Sequence, residues 1–131
     1  MRDYFKKHGV FSLNELITTD LASAKKFYGE LFGWKFTESK TIYGNTYLAI
    51  HSDGRLVTGM MLKDGNVPDD VVPCWDPYVT VDDIEAAVIK VESLGGKVIL
   101  PPTDTPDGKF CVIKDPQGVS LNLITYTGGN K

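Results

Sequence analysis

The stretch Thr19–Trp34, with the sequence TDLASAKKFYGELFGW, is the most informative segment of this 131-residue chain. Its apolar residues are spaced three and four positions apart, as they are on one face of an α-helix. They are Leu21, Ala24, Phe27, Tyr28 and Leu31. Asp20 is a residue type that caps a helix N-terminus, and Gly33 is the type that ends a helix. The stretch therefore predicts a helix from about Asp20 to Phe32.

A second helix pattern follows 63 residues later, and this offset aligns the two halves of the chain. Asp83 stands where Asp20 stands in the first half, and Gly96 stands where Gly33 does. One strand-like run precedes each helix pattern and three follow it. The runs are 11–18, 34–41, 45–51 and 56–62 in the first half, and 75–81, 97–100, 109–114 and 119–126 in the second. We predict an α+β fold: two βαβββ repeats forming a curved, half-barrel mixed sheet with the helices on its outer face.

The length and composition indicate one soluble globular domain over residues 1–131. The chain is 42% hydrophobic and 24% charged, which is ordinary for such a domain. Within it, repeat one is predicted at about 10–62 and repeat two at about 74–126. The segment 63–73, rich in Asp, Gly, Pro and Val, is the predicted linker.

Several classes of partner are not expected. The formal net charge is −3 and no run of Lys or Arg exceeds two, so a nucleic-acid partner is not predicted. No apolar run approaches the roughly 18 residues that span a bilayer. The N-terminal residues lack the apolar segment of a signal peptide, so we expect a cytoplasmic protein. Cys74 and Cys111 lie far apart in the sequence and are expected to be free thiols.

The Thr19–Trp34 stretch resembles the D-x-x-x-A-x-x-F-Y-x-x-L-F-G-W signature of the vicinal oxygen chelate (VOC) superfamily, which contains glyoxalases, bleomycin resistance proteins and dioxygenases. Residues 78–83 with 94–98 resemble the start of its second repeat. Residues 115–118 with 121–124 resemble its last hairpin. The run Asn14-Glu15-Leu16 is similar to that of glyoxalase-like members, many of which have no assigned reaction. The resemblance implies a small-molecule ligand and a homodimer.

The resemblance also implies where metal-dependent members hold their ion: on the first and last strands of each repeat. Carried over to this sequence, the positions are Leu13, Asp76, Asn122 and one of Gly59, Met60 and Met61. Leu and Met side chains do not bind a hard divalent ion, and Asn is a weak neutral donor. The two histidines, His8 and His51, are expected at the surface. We therefore predict no metal and no cofactor.

Strand alternation predicts which side chains would line a cavity between the repeats. The predicted ligand-binding residues are Leu13, Glu15, Tyr47, Met61, Asp76, Tyr78, Phe110 and Asn122. Glu15 and Asp76 are the catalytic candidates, because a carboxylate in an apolar site can move a proton when its pKa is raised. A purely structural role stays open for each: an ion pair or backbone hydrogen bond for Glu15, and the start of a strand for Asp76.

Three functions stay open at this point. The first is a module that binds a small organic molecule without the family metal. The second is a metal-independent isomerase or lyase that uses Glu15 or Asp76 for proton transfer. The third is a metal-dependent lyase or dioxygenase, for which three of the four ligand positions are unsuitable.

Overall fold

The computed structural model describes residues 3–40, 46–63, 72–105 and 107–127. A short 3-10 helix (Asp3–Lys6) precedes eight strands and two helices. They are β1 (Phe11–Thr18), α1 (Leu21–Phe32), β2 (Lys35–Lys40), β3 (Thr46–Ser52), β4 (Arg55–Leu62), β5 (Cys74–Thr80), α2 (Ile84–Ser93), β6 (Lys97–Thr105), β7 (Gly108–Lys114) and β8 (Ser120–Tyr126). The predicted α+β class and the two βαβββ repeats are confirmed. Most of the predicted linker lies outside the described residues.

The chain divides into two compact units. Unit two is the continuous stretch Asn14–Asp76, whereas unit one combines Met1–Leu13 with Pro77–Lys131. The strand order in unit two is β2-β3-β4-β1, with β1 parallel to β4 and the other pairs antiparallel. The order in unit one is β5-β8-β7-β6, with β5 parallel to β8 and the other pairs antiparallel. Both units therefore contain the mixed pairing that the sequence predicts.

The helices begin where their capping residues predict. The Asp20 side chain accepts a hydrogen bond from the Ser23 N–H at 3.0 Å, which satisfies one of the free amides at the start of α1. Gly33 ends α1 in the left-handed conformation, at φ 72°. At the start of α2, Asp83 accepts from the amides of Glu85 and Ala86 at 3.0 and 3.1 Å.

Each helix covers one face of its unit's strands. In unit two the buried residues Leu16, Leu48, Ile50 and Met60 pack against the α1 side chains Leu21, Ala24 and Tyr28. In unit one the buried residues Val81, Ile84, Cys111 and Leu123 pack with Ala87, Val88 and Val91 of α2. Because strand side chains alternate, the residues between these core positions point to the opposite side. We call that side the helix-free face of each unit.

One polar group is buried within the core of unit two. Thr58 lies in β4 with its side chain on the same side as Ile50, its register partner in β3. The residue is 5% exposed, and its Oγ1 has no hydrogen-bond partner among the described residues. A buried hydroxyl without a partner lowers the free energy of unfolding.

Strand β6 is longer than predicted. The sequence indicates a strand over 97–100, but β6 continues through Pro101 and Pro102 to Thr105. Proline cannot donate to a strand ladder and is tolerated on edge strands and at bulges. Strand β6 is the edge strand of unit one, and its register with β7 shifts between Leu100 and Thr103.

Neither helix in the described part of the chain is long and apolar enough to cross a membrane.

Candidate ligand-binding site

The helix-free face of unit two carries a carboxylate beside a strand glycine. Glu15 in β1 is half-buried and pairs in register with Gly59 in the parallel strand β4. Residues paired in this way point to the same face of a sheet. The alternating neighbours of Glu15 and Gly59, Leu16 and Met60, belong to the core under α1. The Glu15 side chain therefore points away from the helix.

The Tyr47 ring occupies the space above Gly59. A Cβ atom built on Gly59 would lie 2.7 Å from Cε1 of Tyr47, and closer still to its Cζ and Oη. Only a residue without a side chain leaves room for the ring in this position. Neighbouring strands lie about 4.8 Å apart, so the Tyr47 hydroxyl reaches over β4 toward the strand that carries Glu15. A phenol and a carboxylate thus flank the same small area of the face.

The rest of this face is mostly apolar. Met61 pairs with Tyr47 and Ala49 pairs with Gly59, which places all four on the same side. The boundary between the units falls within β5, and Asp76 is the last residue of unit two. Its neighbour Trp75 contacts the rings of Tyr28 and Trp34 on the α1 side, so alternation directs Asp76 away from the helix.

The helix-free face of unit one is more completely buried. Asn122, at 2% exposed, pairs with Tyr78 and donates from Nδ2 to the Pro77 carbonyl oxygen at 3.2 Å. The rings of Tyr78 and Phe110 lie 6.1 Å apart, and Leu13 packs against the same cluster. Four of the predicted ligand-binding residues therefore share this face, and the other four share that of unit two.

Tyr126 adds a hydroxyl to the helix-free face of unit one. This residue is not among those predicted from the sequence. Its Oη and Ser12 Oγ lie 2.9 Å apart in a hydrogen bond that joins residues at opposite ends of the chain. Burial raises the pKa of Tyr126, so the phenol is neutral at physiological pH. The only sequence signal for this residue was its position in the strand-like run 119–126.

The two faces are equivalent under the 63-residue offset. The register pair of Glu15 and Gly59 in unit two corresponds to the pair of Tyr78 and Asn122 in unit one. Gly59, not Met60 or Met61, is therefore the repeat equivalent of Asn122. Gly59 is an informative residue that the sequence analysis left unresolved, although a glycine inside a strand is itself a signal of close approach.

The family's metal positions do not carry a suitable donor set. With the register known, the four positions fall on Leu13, Gly59, Asp76 and Asn122, and only the third carries an ionisable ligand. Any side chain at position 59 would also displace the Tyr47 ring. Within the described ranges, no three His, Cys, Asp or Glu side chains come close enough to hold a metal ion. The residues present do not fit the metal centre of metal-dependent relatives.

His8 and Cys111 lie outside these two faces. His8 accepts a hydrogen bond at Nδ1 from the Asp82 N–H at 3.0 Å and is largely exposed. Cys111 is fully buried under α2, where burial raises the pKa of its thiol to about 11. A thiol with this pKa is not a nucleophile at neutral pH. Cys74 alternates with Trp75 and therefore lies on the same side of β5 as Asp76; burial, and to a smaller extent the Asp76 charge, raises the pKa of its thiol.

The comparison with protein families decides the classification. The model of the Glyoxalase/Bleomycin resistance protein/Dioxygenase superfamily matches residues 9–123. The chain belongs to this superfamily. The match covers both repeats and confirms the family that the Thr19–Trp34 stretch indicated.

Relatives within the family are named for different roles. The chain is 36% identical over 111 residues to the protein named "Putative glyoxylase CFP32" of Mycobacterium tuberculosis. That alignment covers 83% of this chain and 42% of the relative. It is 30% identical over 119 residues to the anthracycline biosynthesis protein DnrV of Streptomyces peucetius. That alignment covers 82% of this chain and 43% of the relative. The chain thus spans about two fifths of the length of these relatives.

A solved structure shares the fold at low sequence identity. The methylmalonyl-CoA epimerase of Mycobacterium tuberculosis superimposes with a TM-score of 0.69 over 98% of this chain and 94% of that chain. The two sequences are 17% identical, so the likeness shows the fold and not the reaction.

Proposed function

We propose that this chain binds a small organic molecule on the helix-free face of unit two, without the family metal. The observation that carries the proposal is the juxtaposition of Glu15, Gly59 and the Tyr47 ring. A glycine inside a strand weakens that strand, and here the lost side chain makes room for a phenol next to a carboxylate. The stability of the sheet alone does not require this arrangement.

The lining of this face favours a particular kind of ligand. Met61 and Ala49 provide an apolar floor, and Glu15 and Tyr47 provide fixed polar contacts, as in most small-molecule sites. The carboxylate accepts hydrogen bonds and favours a hydroxyl or amine group, whereas the phenol both donates and accepts. We therefore propose an apolar molecule that carries at least one such donor. The predicted cavity between the repeats stays a prediction.

The test is a ligand screen followed by matched variants. Thermal-shift screening would use metabolites and aromatic antibiotics, including an anthracycline because one relative is an anthracycline biosynthesis protein. For any hit, Glu15→Gln is expected to weaken binding roughly 10- to 100-fold, as for loss of a charge-assisted hydrogen bond. Tyr47→Phe is expected to weaken it roughly 2- to 10-fold.

The control is Glu38→Gln, which removes the same charge from an exposed position in β2 of the same unit. Hits that bind wild type and Glu15→Gln equally would show that Glu15 is not the anchor. Stoichiometric Ni, Zn, Fe or Mn in the purified protein would contradict the metal-free part of the proposal.

A second candidate is a metal-independent isomerase or lyase. The observation that favours it is a pair of carboxylates, Glu15 and Asp76, directed away from α1 in the same unit. An enzyme of this kind would exchange a carbon-bound proton of the ligand with solvent. Deuterium uptake by a hit in D2O, abolished by Glu15→Gln or Asp76→Asn, would support turnover. Binding with no uptake would support the binding module alone.

The family resemblance further predicts a homodimer. No partner chain is needed to form the contacts described above, so this prediction is separate from the ligand site.

A further inference from the structure

The Tyr47 ring lies against strand β4 with one of its faces toward Gly59. A Cβ atom at position 59 would be nearest to the phenol oxygen and Cζ, and Cε1 would follow at 2.7 Å. An atom in the plane of the ring could not be that close to both the oxygen and Cζ without lying closer still to Cε1 or Cε2. The Cβ position therefore lies above the C–O bond, and a face of the phenol, not its edge, covers the backbone of β4.

The opposite face of the ring points away from the sheet. Side chains stand roughly perpendicular to a sheet, so a ring that lies across the direction of a Cβ atom is close to parallel with the sheet surface. Tyr47 is half-buried, so part of its surface remains exposed although β4 covers one face. Aromatic rings attract other rings in offset, parallel arrangements. A ring held in this orientation offers a flat surface of that kind on the helix-free face of unit two.

The residues beside the ring are small and lie in one row across four strands. Gly59 pairs with Glu15 on one side and with Ala49 on the other, and Ala49 pairs with Thr37 of β2. With strands about 4.8 Å apart, this row is roughly 14 Å long. A hydrogen atom and a methyl group occupy its middle, whereas a carboxylate and a hydroxyl lie at its ends. The row is therefore a shallow strip that is longer than a single aromatic ring.

The second repeat shows that the fold does not require a flat ring at this position. Under the 63-residue offset, Tyr47 corresponds to Phe110 and Gly59 to Asn122, and both pairs of strands have the same register. Asn122 carries a buried side chain where Gly59 has none. The Phe110 ring instead lies beside Tyr78, with 6.1 Å between the ring centroids and 53° between the ring planes. The flat ring is thus a feature of unit two, and the glycine makes room for it.

We propose that Tyr47 is a stacking platform and that the ligand of this face contains a planar, conjugated ring system. The ligand ring lies on the outer face of Tyr47, and a hydroxyl or amine substituent at its edge donates to Glu15 in the strand beside Gly59. A saturated ring with the same carbon skeleton cannot stack in this way. This inference rests on the proposed ligand site and names the class of molecule that the site takes.

The test compares two alcohols that differ only in the saturation of their rings, 2-naphthalenemethanol and decahydro-2-naphthalenemethanol. The Kd of each is measured by NMR titration. Wild type is expected to bind the planar alcohol roughly 10-fold more tightly, as for the gain of one aromatic stack. The naphthyl protons are expected to shift upfield, because they lie over the face of the Tyr47 ring.

Variants separate the ring from the hydroxyl and from the carboxylate. Tyr47→Leu is expected to abolish both the preference for the planar alcohol and the upfield shift, whereas Tyr47→Phe keeps the ring and both signals. Gly59→Ala keeps the phenol but prevents it from lying flat, so most of the preference is expected to disappear. Glu15→Gln is expected to weaken both alcohols and to leave the preference unchanged.

The matched control is Tyr4→Leu, which makes the same substitution at a tyrosine that is 60% exposed and lies in unit one. It is expected to change neither Kd. Circular dichroism checks that each variant is folded, and Tyr47→Phe gives a second measure if Tyr47→Leu does not fold. A Tyr47→Phe variant that loses the preference would contradict stacking, because it retains the ring.

Three results would overturn the stacking platform: equal binding of the two alcohols to wild type, binding of neither, or a preference that Tyr47→Leu retains. If the alcohols bind equally and Glu15→Gln weakens both, the ligand site is supported and only the platform fails. If neither Glu15→Gln nor the Tyr47 variants change the binding of either alcohol, the alcohols bind elsewhere and both proposals fail.

Discussion

Replacing Gly59 with alanine tests the contact on which the candidate site depends. The new Cβ would lie 2.7 Å from Tyr47 Cε1, and closer to the end of the ring, whereas carbon atoms at optimal separation are about 3.5–4.0 Å apart. The ring must therefore move by about 1 Å or more. Overpacking of this kind costs about 1–3 kcal/mol.

The background Tyr47→Ala removes the obstacle. In that background Gly59→Ala meets no ring, and alanine in a strand is expected to raise the free energy of unfolding by about 0.5–1 kcal/mol relative to glycine. The two substitutions are therefore expected to be coupled by about 2 kcal/mol. Urea unfolding of wild type, both single variants and the double variant gives this coupling energy as a double-mutant cycle.

The sign of the alanine effect is the critical readout. A destabilising Gly59→Ala that becomes neutral or stabilising beside Tyr47→Ala would confirm the contact. Effects that add to within about 0.5 kcal/mol would refute it, because residues that do not touch are additive to that extent. For a ligand hit, Gly59→Ala is expected to weaken binding as much as Tyr47→Phe or more, since it displaces the whole ring.

Three further predictions concern stability. Thr58→Val replaces a buried hydroxyl that lacks a described partner with a methyl group and is expected to raise the free energy of unfolding by about 1 kcal/mol in urea titrations. Asp83→Ala removes a cap that accepts from two backbone amides and is expected to lower it by about 1 kcal/mol; an unchanged urea midpoint would contradict that role. Burial raises the pKa of the Cys111 thiol to about 11 in the folded state, so the folded state holds this proton more tightly than the unfolded state does. The resulting contribution to the free energy of unfolding is complete below about pH 9 and is lost as the pH rises toward 11. Wild type is expected to lose about 2 kcal/mol more than Cys111→Ala over that interval, measured by urea unfolding at both ends.

The helices and the repeat were predictable because their signals are local. The spacing of Leu21, Ala24 and Tyr28 sets the buried face of α1, and the caps at Asp20 and Asp83 set where the helices begin. The family motif gave the topology. The direction of the Glu15 side chain, away from α1, followed from simple alternation along β1.

The position of Tyr47 was harder to predict because it depends on a shift in strand register. Asp53 and Gly54, both at positive φ, form the turn between β3 and β4. The register beside that turn, continued along the strands, would pair Tyr47 with Met60 and the core. A bulge between Ile50 and His51 shifts the register by one residue, so Tyr47 pairs with Met61 on the opposite face. No local residue pattern indicates this shift.

The division into units has a consequence for synthesis on the ribosome. Unit two, Asn14–Asp76, is continuous, so all of its strands and α1 are present before the second half of the chain has emerged. Unit one needs residues from both ends, and its hydrogen bond between Ser12 and Tyr126 spans 114 positions. This contact cannot form until β8 has been synthesised, so Ser12 gains its partner later than any residue of unit two. The nascent chain therefore presents the Glu15 and Tyr47 face before its N-terminal segment is in place.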